Sequence, residues 1–182
     1  MRKVTAGLFH SLDGAVEAPD QWQFDSFDDE LGALLGKTLA TTDTVVLGRV
    51  GYEEWAGFWP VAEFDDDFKI FINAAPKHVA SRTLTGTLAW NNARLIDGDL
   101  LDFVRALKAK DGRDIAVMAS ISLVRQLFLA GLIDELTLIT HPVVAGSKYR
   151  RLFDGAETVQ LELIRNEVTS KGNVVSAYRL KP

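Results

Sequence analysis

The chain has 182 residues, 47% of them hydrophobic and 25% charged, with a net charge of −5 and no cysteine. That length and balance fit one domain over residues 1–182 with a sizeable core. The acidic balance argues against a nucleic-acid partner, which needs a basic face, and the lack of cysteine removes disulfides, thiolate chemistry and thiolate metal sites. No run approaches the roughly 20 apolar residues of a membrane span. The apolar part of the first nine residues is too short for a signal peptide, so the expected location is cytoplasmic, with no membrane partner.

Lys3 to Phe9 predicts a buried strand, and His10-Ser11-Leu12-Asp13-Gly14 predicts a turn, Asp-Gly being a strong turn pair. Glu17 to Phe24 reads as a loop with an exposed Trp22, either a cover for a substrate or a pinned surface loop. Ser26 is the expected cap of an amphipathic helix reaching Ala40, with Phe27, Leu31, Leu34, Leu35 and Leu39 as its stripe. Asp29 and Glu30 fall in its first turn, where acids favour the helix dipole. Gly32 to Thr38 is one residue short of a phosphate-binding P-loop and follows no strand, so it belongs to the helix.

Thr44 to Gly48 predicts a strand that turns at Gly48-Arg49 into a helix ending near Phe58-Trp59-Pro60. Asp65-Asp66-Asp67 reads as a solvated helix start and not a metal site, because contiguous acids on a helix diverge. Asn73 to Leu84 reads as loop, strand and polar exit, the exit carrying Ser81, Arg82 and Thr83. Leu88 to Ile96 predicts a further short strand, and Asp97 or Asp99 caps a helix through Lys110. Ile115 to Met118 is a buried strand; Ala119-Ser120 turns the chain; Ser120 or Ser122 caps a helix with Leu123, Val124, Leu127 and Phe128 inward and Gly131 beyond its end. Leu136 to Thr140 is a strand, and Glu157 to Val168 with Val174 to Leu180 forms a hairpin.

A strand, a tight small-residue turn and a helix together present backbone N–H groups at the positive end of a helix dipole, where a phosphate fits. The same small residues also permit close helix–strand packing. Two or three such turns point to a phosphorylated small molecule. No Gly-x-Gly-x-x-Gly occurs, and His10, His78 and His141 are scattered without metal-ligand spacing.

Several spaced motifs resemble the dihydrofolate-reductase-like proteins, and within them the reductase domain of the riboflavin-biosynthesis deaminase-reductases and its small stand-alone relatives. They are Ser11-x-Asp13-Gly14; Leu47-Gly48-Arg49 with Tyr52-Glu53; Asn73-x-x-Pro76-Lys77-x-Val79-x-Ser81-x-Thr83-Leu84; Ser120-x-x-Leu123; Gly131-Leu132-Ile133-Asp134-Glu135-Leu136; and Pro142-Val143-Val144 with Leu152-Phe153. The resemblance implies an α/β fold of three layers, α/β/α, with a mainly parallel mixed central sheet and a C-terminal antiparallel hairpin. It implies an NADPH-dependent reductase that passes a hydride to a small pterin- or pyrimidine-like substrate, and a homodimer.

The implied cofactor contacts are Ser11, Gly48, Arg49, Gly51, Ser81, Arg82, Thr83, Ala119, Ser120, Ser122 and Leu123. Asp13 is implied beside the nicotinamide, and Asp29 or Glu30 at the substrate as candidate proton donor; no metal is implied. Gly51 stands where the family usually has Thr, and Ala119-Ser120 where it usually has Gly-Gly or Gly-Ser. The competing expectation is a homodimer that binds a nucleotide or other small ligand without turnover.

Overall fold

The structure is a computed structural model that describes residues 1–64 and 66–181. Eight strands form one sheet: β1 (Val4–Ser11), β2 (Thr42–Gly48), β3 (Lys77–Ala80), β4 (Ala93–Leu95), β5 (Asp114–Met118), β6 (Glu135–His141), β7 (Leu161–Val168) and β8 (Val174–Leu180). Their spatial order is β4-β3-β2-β5-β1-β6-β8-β7. The pairings from β4 across to β6 are parallel, and β8 pairs antiparallel with both β6 and β7. Among the described residues, five α-helices connect them: α1 (Asp29–Thr41), α2 (Arg49–Phe58), α3 (Asp67–Ala74), α4 (Leu100–Ala109) and α5 (Ile121–Leu129).

The alternation of side chains along a strand sets the layers. Val46, Ile115 and Val117 face α4 and α5 in one core with Val104, Leu107, Val124 and Phe128. Val45 and Leu47 face the other way, onto Tyr52 of α2 and Ile72 of α3, and Leu31 of α1 packs nearby on Ile139 and Val175. The fold is therefore α/β/α with a mainly parallel mixed sheet and a C-terminal antiparallel hairpin. The ends of β1, β2, β3 and β5 open on one side of the sheet, where parallel α/β folds place their ligands.

Several boundaries differ from expectation. Asp28, not Ser26, caps α1, its carboxylate accepting from Leu31 N at 2.8 Å, and Ser26 and Phe27 lie before the helix. Trp22 is buried, 3% exposed, with its indole N–H on the Glu17 carbonyl, so the loop is pinned and does not expose it. Strand β4 shortens to three residues after Asn92 turns at φ 58, and β7 starts at Leu161 instead of Glu157. Asp66 caps α3 by accepting from Lys69 N at 2.6 Å; Asp65 lies outside the described residues.

Candidate functional site

A cleft of about 1810 Å³ runs along the strand ends. That exceeds the ~300–1,000 Å³ of a pocket for one drug-sized ligand and leaves room for a dinucleotide beside a second molecule. Three strand exits line it. Gly48, Arg49 and Gly51 come from the β2–α2 turn, Ser81, Arg82 and Thr83 from the end of β3, and Ala119, Ser120, Ser122 and Leu123 from the β5–α5 turn.

The helix N-termini in this fold are not alike. Asp28, Asp66, Asp99 and Ser120 each cap their helix with a side chain, whereas α2 starts at Gly48 with no side-chain cap. The first amides of α2 have no intrahelical acceptor and belong to residues that line the cleft. They are suited to an anionic oxygen, which the helix dipole also favours. Arg49 stands beside them on the surface, in an i,i+4 ion pair with Glu53 at 2.6 Å.

The two turns that depart from the family pattern touch each other. Ala119 adopts φ 49, a left-handed conformation that L-residues rarely take. A Cβ placed on Gly51 would lie 2.0 Å from the Ala119 carbonyl oxygen and 2.5 Å from its methyl carbon. Position 51 thus has no room for any side chain, because the Ala119 turn occupies it. The substitutions at 51 and 119 are reciprocal, and the methyl of Ala119 is turned to α2.

At the end of β3, the Ser81 hydroxyl accepts from Thr83 N (3.1 Å) and Leu84 N (2.9 Å), which curls the chain around an exposed Arg82 with no anionic partner among the described residues. Lys77 fixes the start of the same strand. It is fully buried, donates to the carbonyls of Ile72 (2.8 Å) and Ala75 (2.7 Å), and lies 4.5 Å from the Trp90 ring centroid. Burial pulls its pKa down to about 8.

Ser11, Asp13, Asp29 and Glu30 do not line the cleft. Ser11 is fully buried; its hydroxyl donates to Asp13 at 2.7 Å and accepts from Ala15 N at 2.9 Å. The Asp13 carboxylate also accepts from the backbone N–H groups of Ala145 (2.8 Å) and Gly146 (3.0 Å), with Arg151 at 3.7 Å. The Ser11 hydroxyl, then those N–H groups, hold its pKa down to about 2. Asp13 is therefore ionised at neutral pH and anchors the loop after β6, which brings Lys148, Tyr149 and Arg150 to the cleft. Arg150 in turn grips Glu17 on the opposite loop at 2.7 Å. Asp29 and Glu30 are exposed, and Glu30 accepts from Ser170 N in the β7–β8 turn.

Sequence reasoning missed an aromatic wall made by Trp55, Trp59 and Phe68, all of which line the cleft. The signal was the i,i+4 spacing of the two tryptophans, Trp55 on α2 and Trp59 at its C-cap. It also missed a buried polar knot. His141 is fully buried, and its Nδ1 donates to Asn173 Oδ1 at 2.6 Å, since an amide oxygen only accepts. The Asn173 amide donates to the Ser26 carbonyl (2.7 Å), tying the loop before α1 to the β7–β8 turn. Burial pushes the His141 pKa down, and its Nε2 has no partner among the described residues.

With this geometry, residues 2–176 match the family described as RibD C-terminal domain. The chain belongs to the RibD C-terminal domain family. It is 28% identical over 181 residues to the uncharacterized protein YyaP of Bacillus subtilis (strain 168), covering 97% of this chain and 94% of YyaP. A pyrimidine reductase-like protein from Corynebacterium diphtheriae superimposes with a TM-score of 0.72 at 15% identity, over 100% of this chain and 92% of that one. Dihydrofolate reductase from Enterococcus faecalis, solved with NADP(H), gives a TM-score of 0.62 at 12% identity, over 99% and 97%. These likenesses establish a dihydrofolate-reductase-like fold. No described helix is long and apolar enough to cross a membrane, and no group of three or more His, Cys, Asp or Glu among the described residues is placed to hold a metal ion.

Proposed function

We propose that this RibD C-terminal domain protein is an NADPH-dependent reductase that passes a hydride to a small pterin- or pyrimidine-like heterocycle. The observation that carries this reading is the convergence on one cleft of the uncapped α2 N-terminus, the Ala119–Ser120 turn and Arg82, which has no anionic partner among the described residues. The residues fit a phosphorylated dinucleotide. The amides of Arg49, Val50 and Gly51, the Ser120 and Ser122 hydroxyls and the Arg49 guanidinium would hold the pyrophosphate. Arg82, with Ser81 and Thr83, meets a 2′-phosphate, which selects NADPH over NADH. When bound, the nicotinamide supplies the hydride, and the protein orients it and excludes water. Leu123 lines the same cleft, and Ser11, outside it, holds Asp13 and through it the loop of Lys148–Arg150.

The protein acts in the cytoplasm and as a homodimer. The support for pairing is β7, an edge strand exposed along nearly its whole length, with Leu163 51% and Val168 66% exposed; a second copy's β7 would cover it. A reading without turnover, as a dimer that binds a small ligand, is favoured by one fact: Asp13, Asp29 and Glu30 all stand outside the cleft. Titration with NADPH and NADH, followed by nicotinamide fluorescence, tests the cofactor. Arg82→Ala is expected to weaken NADPH roughly tenfold, about 1.4 kcal/mol, and leave NADH unchanged. Equal affinity of the native protein for both cofactors removes the role of Arg82; binding of NADPH with no oxidation by any heterocycle tried supports the reading without turnover.

A further inference from the structure

The buried polar knot around Asn173 fixes the state of one imidazole. Asn173 is fully buried, and its amide nitrogen faces three groups: the Ser26 carbonyl at 2.7 Å, the Thr169 hydroxyl at 3.0 Å and the Asp28 carboxylate at 3.2 Å. A carbonyl and a carboxylate only accept, so the side of the amide turned to them is its N–H side. Its oxygen therefore faces His141 Nδ1 at 2.6 Å, and Nδ1 must carry a proton. The lone pair of the neutral ring is then on Nε2, which is buried and has no partner among the described residues. Rings surround it: the Phe9 centroid lies 5.5 Å from that of His141, and the Trp22 centroid 6.0 Å. A bare lone pair costs far less in such a place than the N–H of a charged imidazolium.

What the knot holds is one wall of the cleft. Glu17, Ala18, Pro19, Asp20, Gln21 and Phe27 line it. The segment has a single 3₁₀ turn, Pro19–Gln21, and two of its residues, Ala18 (φ 46) and Phe24 (φ 50), take the left-handed conformation that L-residues rarely adopt. Local preference therefore opposes this path, and tertiary contacts hold it. At its centre Trp22 is set edge to face with His141, and towards its end the Ser26 carbonyl takes the Asn173 N–H. Both anchors meet the same knot.

The charged groups on the elements around the knot are engaged elsewhere. Lys171 of the β7–β8 turn pairs with Asp25, and Glu30 accepts from Ser170 N. Asp13, beyond β1, is held by Ser11, Ala145 and Gly146, and His10 on β1 meets the Thr140 hydroxyl. Burial opposes a charge on His141 more than Asn173 and Asp28 favour it.

We propose that His141 and Asn173 are positioning residues that form a proton-operated pin: with the ring neutral they hold residues 17–27 as the cleft wall, and a proton taken from solvent at Nε2 releases it. The pin does not rest on the reductase reading. Burial keeps the pKa of His141 below the ordinary 6.5, so the closed wall takes the proton less readily than the open one. The hold is complete above about pH 6.5 and is lost as pH falls below it, towards the lowered folded value.

The test is a pH series from about 8 to about 5 on the isotope-labelled full chain. Ring nitrogen shifts give the tautomer and pKa of His141. Solvent exchange of the Trp22 indole N–H and of amides 20–26, corrected for intrinsic rates, gives the opening of the wall. The Nδ1–H tautomer is expected, with protection flat above about pH 7 and falling by up to about tenfold per pH unit below about 6.5. Protection of the α5 amides is expected to stay constant. His141→Gln, which takes up no proton, is expected to remove the slope whatever it does to the level. The double variant His10→Gln/His78→Gln leaves His141 as the last histidine and is expected to keep the slope, so it decides even if His141→Gln does not fold. A His141 pKa at or above 6.5, the Nε2–H tautomer, a wall equally protected at both ends of the series, or a slope that survives His141→Gln overturns the proposal. So does an equal loss of protection in α5, because the whole fold would then be opening and not the wall.

Discussion

At the end of the cleft proposed for a dinucleotide, the candidate binding groups sit where a strand hands over to the next segment: Gly48–Arg49 after β2, Ser81–Arg82 after β3, Ala119–Ser120 after β5. Farther from those strand exits the cleft is lined by helix faces, Gly32 and Gly36 on α1, Trp55 on α2, Trp59 just past its end and Phe68 on α3. The first end is polar and built of backbone amides held by the sheet; the second is aromatic and acidic and built of side chains. A phosphate needs fixed N–H groups at set positions, which only main chain in a rigid turn supplies. A planar ring needs area and a gap, which helix faces supply.

The sharpest way to break the dinucleotide end is to restore the residue the family usually carries at position 51. Gly51→Thr drives a side chain into the Ala119 carbonyl 2.0 Å from the new Cβ. Loss of roughly 3 kcal/mol is expected from overpacking, read as a lower urea midpoint, together with loss of NADPH binding. Adding Ala119→Gly lets the turn move and is expected to recover part of both. If the single variant is as stable as the native protein, the two positions are not interlocked.

A second variant separates the loop beyond β6 from the cofactor end. Asp13 has its pKa held down to about 2 in the folded protein, below the ~3.9 of a free side chain. The folded state thus holds the proton less readily than the unfolded state. The stabilising contribution is complete above about pH 4 and is lost as pH falls from about 4 towards 2. Asp13→Asn is expected to flatten the fall in urea midpoint over that window and to loosen the loop of Lys148–Arg150, seen as faster hydrogen exchange at residues 145–150. NADPH affinity is expected to hold. Unchanged exchange in the loop would mean that Asp13 does not anchor it.

The smallest effect is expected at the first turn of α1. Asp29→Asn and Glu30→Gln, both exposed and turned from the cleft, are expected to change NADPH affinity and reductase turnover by less than about twofold, within the ~0.5 kcal/mol of an ordinary surface change. A tenfold loss of turnover in either would bring that carboxylate back to the substrate.

The order of strands and helices was legible in the sequence, because period-2 and period-3.6 patterns and the Gly, Asp and Ser punctuation are local. The sequence also marked Gly48, Arg49, Ser81, Arg82, Ala119 and Ser120, whose motifs are short and contiguous and which all reach the cleft. What it left open depended on distance in the chain. That Gly51 is forced by Ala119, 68 positions on, follows only when β2 lies beside β5 and their exits meet. That Asp13 is spent on Ala145 and Gly146 follows only when β1 lies beside β6. Asp29 and Glu30 share a helical turn, and which way that turn faces is set by Leu31 entering the core, a tertiary fact. Local chemistry fixed which residues could act, and the pairing of distant strands decided which of them share a cleft.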